Sequence, residues 1–271
     1  LGRNRIHVYQ LDDAALAQRQ GEMQWVHRLR EGLDRSTFDL YAQAIVPLEA
    51  GKTHQDKFYE ILVRIHDRDI VLPTVFLPAA ERYHLMPALD RWVVHTSLTL
   101  LKEFYAGVGS RPAATRFAIN LSGQTLGDEK FLEFIQREIE RSGVDPRRLC
   151  FEITETAAIA NLNRAKHFML QLNQLGCQFA LDDFGSGLSS FGYLKSLPVD
   201  YLKIAGDFIR DIGDDPVDHA MVDAINQIGH VMGLETIAES VEHPHTLASL
   251  RKLGVNYGQG FGIEAPRPLY E

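Results

Sequence analysis

Short apolar runs alternate with segments of helical period through most of this chain, and that alternation constrains the fold more than any other feature. Residues 38–46, 58–65, 117–121, 149–154, 177–182, 201–204 and 235–238 read as strands. Residues 86–105 carry Leu89, Val93, Leu98 and Leu101 at helical spacing, and 129–142, 161–175, 217–232 and 244–253 read as further helices, the 129–142 helix ending at Gly143 and the 161–175 helix at Gly176. Strand–helix alternation implies a parallel sheet with crossover helices. About eight such strands within 271 residues predict an α/β fold, a closed (β/α)8 barrel of the TIM type with room for a modified first strand. An open doubly wound sheet is the second arrangement, but no Gly-rich dinucleotide fingerprint follows an early strand.

Residues 1–35 stand apart from this pattern. Residues 6–9 could form a strand, and 22–33 read as an amphipathic helix with Met23, Val26, Leu29 and Leu33 on one face. The segment reads as the end of something upstream followed by a connecting helix, with the barrel expected over 36–271. The formal charge of −8 argues against a passive DNA- or RNA-binding protein, which needs a basic footprint. Cys150 and Cys177 lie in apolar runs without metal or redox spacing and read as buried thiols of a cytoplasmic protein. No apolar run reaches the roughly 18 residues of a membrane span.

Polar side chains recur at the strand ends, where barrels of this class carry their chemistry. Asp182 and Asp183 close an apolar run ahead of Gly185-Ser186-Gly187. Adjacent carboxylates repel unless a positive charge lies between them, and a divalent metal is the simplest candidate. Glu60, Asn120, Glu152, Lys203, Glu239 and Gln259 occupy comparable places. From Asn120 through Glu152, Asp182, Lys203 and Glu239 to Gln259 the spacings are 32, 30, 21, 36 and 20 residues, each that of one strand–helix unit. Taken one at a time, each has another reading: Asn120 and Asp183 as helix caps, Glu152 and Glu239 as partners of arginines, Lys203 as a chain that snorkels to solvent. Glu60, flanked by apolar residues, is costly to bury without a partner. Their common phase is what points to one shared site.

These residues carry a resemblance. Glu60-Ile61-Leu62 within Tyr59–Arg64, Asn120-Leu121-Ser122, Phe151–Glu155, Asp182–Gly185 with Ser189–Leu194, Leu202-Lys203-Ile204, Ala238–Glu242 and Gly258–Phe261 together resemble the EAL domain, the cyclic di-GMP phosphodiesterase family, over roughly residues 36–271. The opening nine residues resemble the last strand of a GGDEF domain, so the chain looks like the EAL half of a GGDEF–EAL tandem. The resemblance implies hydrolysis of cyclic di-GMP to linear pGpG with Mg2+ or Mn2+, two ions in all, and inhibition by Ca2+. The matching metal ligands are Glu60, Asn120, Glu152, Asp182, Asp183 and Glu239, with Gln259 nearby; Glu60, Lys203 and Glu239 are the matching catalytic positions. Lys203 matches the lysine near the attacking water, Arg64 the arginine on a substrate phosphate, Glu155 the glutamate that steadies the loop after Asp183, and Gln43 and Glu242 positions of the substrate pocket. A homodimer through the EAL domain is implied too, with GGDEF and sensory domains upstream that would provide any membrane anchor.

The sequence departs from the family pattern at four positions: Ala44 for Pro, Ile61 for the central Ala, Ile65 for Trp, and Ala205 for the Asp that usually follows the lysine by two. Ala205 removes a carboxylate beside Lys203, and reduced turnover is the expectation that follows. Two other functions compete: an EAL domain that holds cyclic di-GMP as a receptor, and a barrel enzyme acting on another phosphodiester. Retention of the whole ligand set favours catalysis over the first, and the matches at Gln43, Arg64 and the loop after Asp183 weigh against the second.

Overall fold

The computed structural model describes residues 14–35, 37–49, 57–66, 69–107, 115–187 and 191–269. The strand-like residues 6–9, the GGDEF-like opening and residues 188–190 of the loop motif lie outside these. Ten strands form one sheet: β1 (Phe38–Pro47), β2 (Phe58–His66), β3 (Ile70–Val71), β4 (Arg116–Asn120), β5 (Leu149–Thr154), β6 (Gln178–Phe184), β7 (Tyr201–Ile204), β8 (Glu235–Ala238), β9 (Tyr257–Gly258) and β10 (Arg267–Pro268). Eight of them close a barrel in the order β1-β2-β4-β5-β6-β7-β8-β9, and β9 returns to β1. Neighbours from β2 to β9 are parallel, whereas β1 runs antiparallel to both β2 and β9. The first strand is thus modified, and uniform parallel pairing fails there for a simple reason. Only residues 48–57 separate β1 from β2, too few for a parallel crossover, which takes roughly a dozen or more.

Nine helices among the described residues surround the barrel: α1 (Ala14–Arg35), α2 (Pro73–Arg82), α3 (Met86–Gly107), α4 (Glu129–Ser142), α5 (Glu155–Ala160), α6 (Leu162–Asn173), α7 (Gly206–Arg210), α8 (Pro216–Val231) and α9 (Pro244–Leu253). Local chemistry sets their ends. The Asp128 carboxylate accepts the Lys130 amide at 2.9 Å to start α4, and Gly143 stops it in the left-handed region at φ 70°. The second half of α1 belongs to the packed core, where Val26 and Leu29 are buried, and Glu22 takes a forked bond from Arg82 of α2 at 2.6 and 2.7 Å. α2, α5 and α7 fall outside the helical segments expected from the sequence, each being ten residues or fewer.

The barrel interior is built in layers. Each closing strand contributes one residue to an apolar plug: Ile45, Phe58, Ala118, Cys150, Ala180, Tyr201, Ile237 and Tyr257. Below it, Arg116 stacks over Phe58 at 4.9 Å and donates to the Tyr201 hydroxyl, sealing the N-terminal end. Emptying Phe58 to Ala would cost about 3–5 kcal/mol, the usual scale for a buried aromatic. Side chains alternate along a strand, so the residues two positions beyond this plug share the interior face at the opposite mouth.

Candidate active site at the C-terminal mouth

Two residues past each plug residue stands a polar one: Glu60 after Phe58, Asn120 after Ala118, Glu152 after Cys150, Asp182 after Ala180, Lys203 after Tyr201, Glu239 after Ile237 and Gln259 after Tyr257. On the reversed β1 the same layer lies two residues before Ile45, at Gln43. A period of two thus lifts one side chain from each of eight strands into a single ring.

Lys203 sits at its centre, 1 % exposed. Its Nζ lies 2.7 Å from Glu152 Oε2, 2.8 Å from Glu239 Oε1, 3.1 Å from Asp182 Oδ1 and 3.3 Å from Glu60 Oε2. Glu60 is a second hub: Asn120 Nδ2 donates to Oε1 at 2.6 Å, and Gln259 Nε2 to Oε2 at 2.6 Å. Gln259 Nε2 also donates to Gln43 Oε1 at 3.1 Å, and Gln43 Nε2 to the Glu264 carbonyl at 3.0 Å. The alternative readings therefore fail at four positions. Asn120 donates to Glu60 instead of capping a helix, Glu152 and Glu239 pair with a lysine instead of an arginine, and Lys203 stays inside.

The sequence breaks its own alternation at Asp182-Asp183. The β6–β7 register shifts between Leu181 and Phe184, and Asp183 adopts φ 54°, a conformation rare for residues other than glycine. A bulge re-aims side chains next to a site, and here it keeps two successive acids at one mouth. Glu155, 2 % exposed, holds the following turn: its Oε2 accepts the Gly185 amide at 3.0 Å and its Oε1 the Tyr193 hydroxyl. Tyr193 is the partner that sequence reasoning missed. On β2, Arg64 is largely buried, lies over the Tyr41 ring at 5.8 Å and donates to the Val63 carbonyl at 2.9 Å. Glu242 is exposed after β8, its main chain against the Gly262 position. Ala205 is the N-cap residue of α7 and makes no side-chain cap bond.

Charge in the ring is unbalanced. Burial alone would lower the Lys203 pKa, but the charges of Asp182, Glu152, Glu239 and Glu60 outweigh it and hold it well above the ordinary lysine range. Glu152 is pushed well up by burial and by the Glu60 charge. Glu239 rises to about 8, burial being the main cause, with Lys203 opposing and Asp182 and Glu60 adding. Asp183 rises through burial and the Asp182 charge. Among the described residues no three acids form a ready-made metal cage, since four of them turn toward the ammonium. The donor set nevertheless suits a hard divalent cation. All candidate ligand atoms are oxygens, buried Glu152 Oε1 and Gln259 Oε1 have no hydrogen-bond partner among the described residues, and four carboxylates share one positive charge.

A closed barrel with its first strand reversed and an acid-rich ring at the C-terminal mouth defines the class of protein. The EAL domain model matches residues 26–266, and the chain belongs to the EAL domain family. It is 38% identical over 273 residues to a cyclic di-GMP phosphodiesterase, PdeB, of Shewanella oneidensis, covering 99% of this chain and 31% of that protein. It is 33% identical to PdeF of Escherichia coli, also named a cyclic di-GMP phosphodiesterase, covering 91% of this chain and 32% of the relative. The chain thus spans about a third of the length of these curated relatives. Among solved structures, the PaMucR phosphodiesterase in complex with c-di-GMP superposes with a TM-score of 0.83 at 31% identity, covering 90% of this chain and 98% of that one. The FimX EAL domain from Pseudomonas aeruginosa bound to c-di-GMP gives 0.80 at 30% identity, covering 89% and 96%.

Proposed function

We propose that this chain hydrolyses cyclic di-GMP to linear pGpG with Mg2+ or Mn2+. The observation that carries the reading is the ring of side chains, one from each barrel strand, centred on Lys203. The relatives named above, phosphodiesterases among them, support the substrate.

Glu60, Asn120, Glu152, Asp182, Asp183 and Glu239 would hold two ions, with Gln259 beside them. Bound there, such ions lower the pKa of water and neutralise phosphate charge. Glu60 and Glu239 are the catalytic carboxylates of this set. Lys203 remains charged, lets the acids converge, orients the attacking water and offsets negative charge as it develops. Arg64 offers a planar fork to a substrate phosphate. Gln43 and Glu242 contribute to the nucleotide pocket, and Glu155 keeps the turn after Asp183 in place through the Gly185 amide. Ca2+ inhibits, because its larger and looser coordination positions water badly.

We also assign residues 1–35 to the end of an upstream GGDEF-like domain and its linker helix, and 36–271 to the phosphodiesterase domain. The active form is a homodimer in the cytoplasm; α8 offers an exposed apolar stripe, with Val217 and Val231 at 67% and 89% exposure. Among the described residues no helix is long and apolar enough to cross a membrane.

The test is to incubate the purified chain with cyclic di-GMP and Mn2+ and separate the nucleotides. Appearance of pGpG, absent in excess chelator, is expected. Stoichiometric binding of intact cyclic di-GMP would support the receptor reading instead. Cleavage of a generic phosphodiester with cyclic di-GMP left untouched would support the third.

A further inference from the structure

We infer that Asp90, on the outer helix α3, is a positioning residue for the metal site: it fixes the turn that carries Asn120 and so the orientation of Glu60. The inference rests on the function proposed above.

Asp90 lies on the core-facing stripe of α3 with Leu89, Val93 and Val94, 4 % exposed. A carboxylate there has lost its hydration and must regain it from protein donors. One oxygen, Oδ2, takes all of them: the Ser122 hydroxyl at 2.6 Å, the Ser122 amide at 3.1 Å and the Thr125 hydroxyl at 3.0 Å. These donors belong to the tight turn after β4, in which the Thr125 amide also donates to the Ser122 carbonyl at 3.2 Å. The residue before the turn, Leu121, is pinned through its amide to the Glu152 carbonyl at 2.9 Å. Asn120 stands immediately ahead of it and directs its amide nitrogen onto Glu60 Oε1.

A continuous path therefore runs from the helix layer into the ring: Asp90 to Ser122, along two residues of main chain to Asn120, and across to Glu60. Asn120 is the one ring member that is exposed. Its placement depends on the backbone behind it more than on side-chain packing. A sub-ångström drift of that backbone would loosen the Glu60 carboxylate, and misplacement of about 1 Å at a reacting centre can cost on the order of 100-fold in rate.

The chemistry suggests the variants. All three donors meet one oxygen, so an amide oxygen can replace it, and Asp90→Asn should keep the turn. Asp90→Ala takes the acceptor from the Ser122 amide and hydroxyl and leaves the Thr125 hydroxyl with the Ser122 carbonyl at 2.8 Å alone. A residue that merely contributes to stability would lower the melting temperature without selecting a kinetic constant, and its effect would be the same whether or not Asn120 is present.

The experiment is a double-mutant cycle on the whole chain: parent, Asp90→Ala, Asn120→Ala and the double variant, with Asp90→Asn beside them. Two readouts are taken below the lowest melting temperature: Mn2+ affinity by titration, and kcat and KM for cyclic di-GMP. The inference predicts a fall in kcat of tenfold or more for Asp90→Ala with KM changed less than threefold, a Mn2+ affinity weakened at least fivefold, and recovery of most of both in Asp90→Asn. In the Asn120→Ala background the further loss from Asp90→Ala should be under threefold, because the path is already cut. Equal losses in both backgrounds, or unchanged Mn2+ affinity in Asp90→Ala, would overturn the inference. If the Ala variant does not fold, the Asn variant decides: it must retain kcat and Mn2+ affinity within threefold, and a larger loss overturns the inference. A parent that binds Mn2+ but leaves cyclic di-GMP intact would refute the proposed function alone, and the Mn2+ arm would still decide the role of Asp90.

Discussion

Replacing Lys203 with Met tests how the acid ring is held together. Methionine keeps much of the length and removes the charge. The ammonium has four carboxylates within 3.3 Å, and at an effective dielectric of about 20 each contact near 3 Å is worth roughly 5 kcal/mol of direct attraction. Most of that sum offsets the desolvation of five charges. The net effect of deleting one partner from a buried ionic cluster is therefore closer to about 3–5 kcal/mol. At roughly 2–4 °C per kcal/mol for a domain of this size, Lys203→Met should melt about 10 °C below the parent in chelator. Mn2+ should raise the variant's melting temperature by more than the parent's, since the acids have then lost their only close cation among the described residues. Turnover should fall by about 100-fold or more, the scale of losing one preorganised charge, with cyclic di-GMP affinity within about threefold. Thermal unfolding in chelator and in Mn2+, beside a nucleotide assay, reads all of these. A variant as stable as the parent in chelator would refute the role of Lys203 as the ring's counter-ion, and loss of substrate binding with turnover would make it a substrate ligand.

Glu60→Ala removes the acceptor shared by Asn120, Gln259 and Lys203, and the rate should drop by about 100-fold or more while the fold survives; near-parental turnover would move Glu60 out of the metal shell. Ala205→Asp restores the family's carboxylate and adds a helix cap of about 1 kcal/mol to α7, so turnover should rise with little change in metal requirement; unchanged turnover would mark Ala205 as a neutral divergence. Asp90, pushed up to about 6 by burial against an ordinary value near 3.9, binds its proton more tightly folded than unfolded. Its contribution, about 3 kcal/mol, is present below about pH 4 and is lost as the pH rises through about 6. Urea unfolding across that range should show a shallower fall with pH in Asp90→Asn than in the parent, the raised carboxyls of Glu152, Asp183 and Glu239 supplying the rest; equal slopes would refute the shift.

Much of this architecture was legible in the sequence because the barrel imposes two simple periods. The helical period marked the surrounding helices, and the strand runs at 149–154, 201–204 and 235–238 match β5, β7 and β8 to the residue. The phase of the polar strand ends anticipated the convergence of Glu60, Glu152, Asp182, Lys203 and Glu239, because a side-chain period of two leaves little freedom once the plug layer is set. The reversal of β1 was not read from its apolar pattern, which is the same in either direction; the short connection to β2 was the available signal. Short helices such as α5 and α7 complete too few turns to show a period. Asp90 was missed although it interrupts the apolar stripe between Leu89 and Val93, and a buried acid at a core position is itself a reason to look for donors. Its donors lie 32 and 35 residues away, a relation that only the folded chain discloses.

The most direct test of the central claim is an anomalous-scattering map from crystals of this chain grown with Mn2+ and cyclic di-GMP. The account predicts two Mn2+ peaks within coordination distance of oxygens from Glu60, Asn120, Glu152, Asp182, Asp183 and Glu239, with Lys203 Nζ beside a water that faces the phosphate. A map without a peak at the barrel mouth, its four carboxylates still turned to Lys203 while the nucleotide is bound, would contradict it.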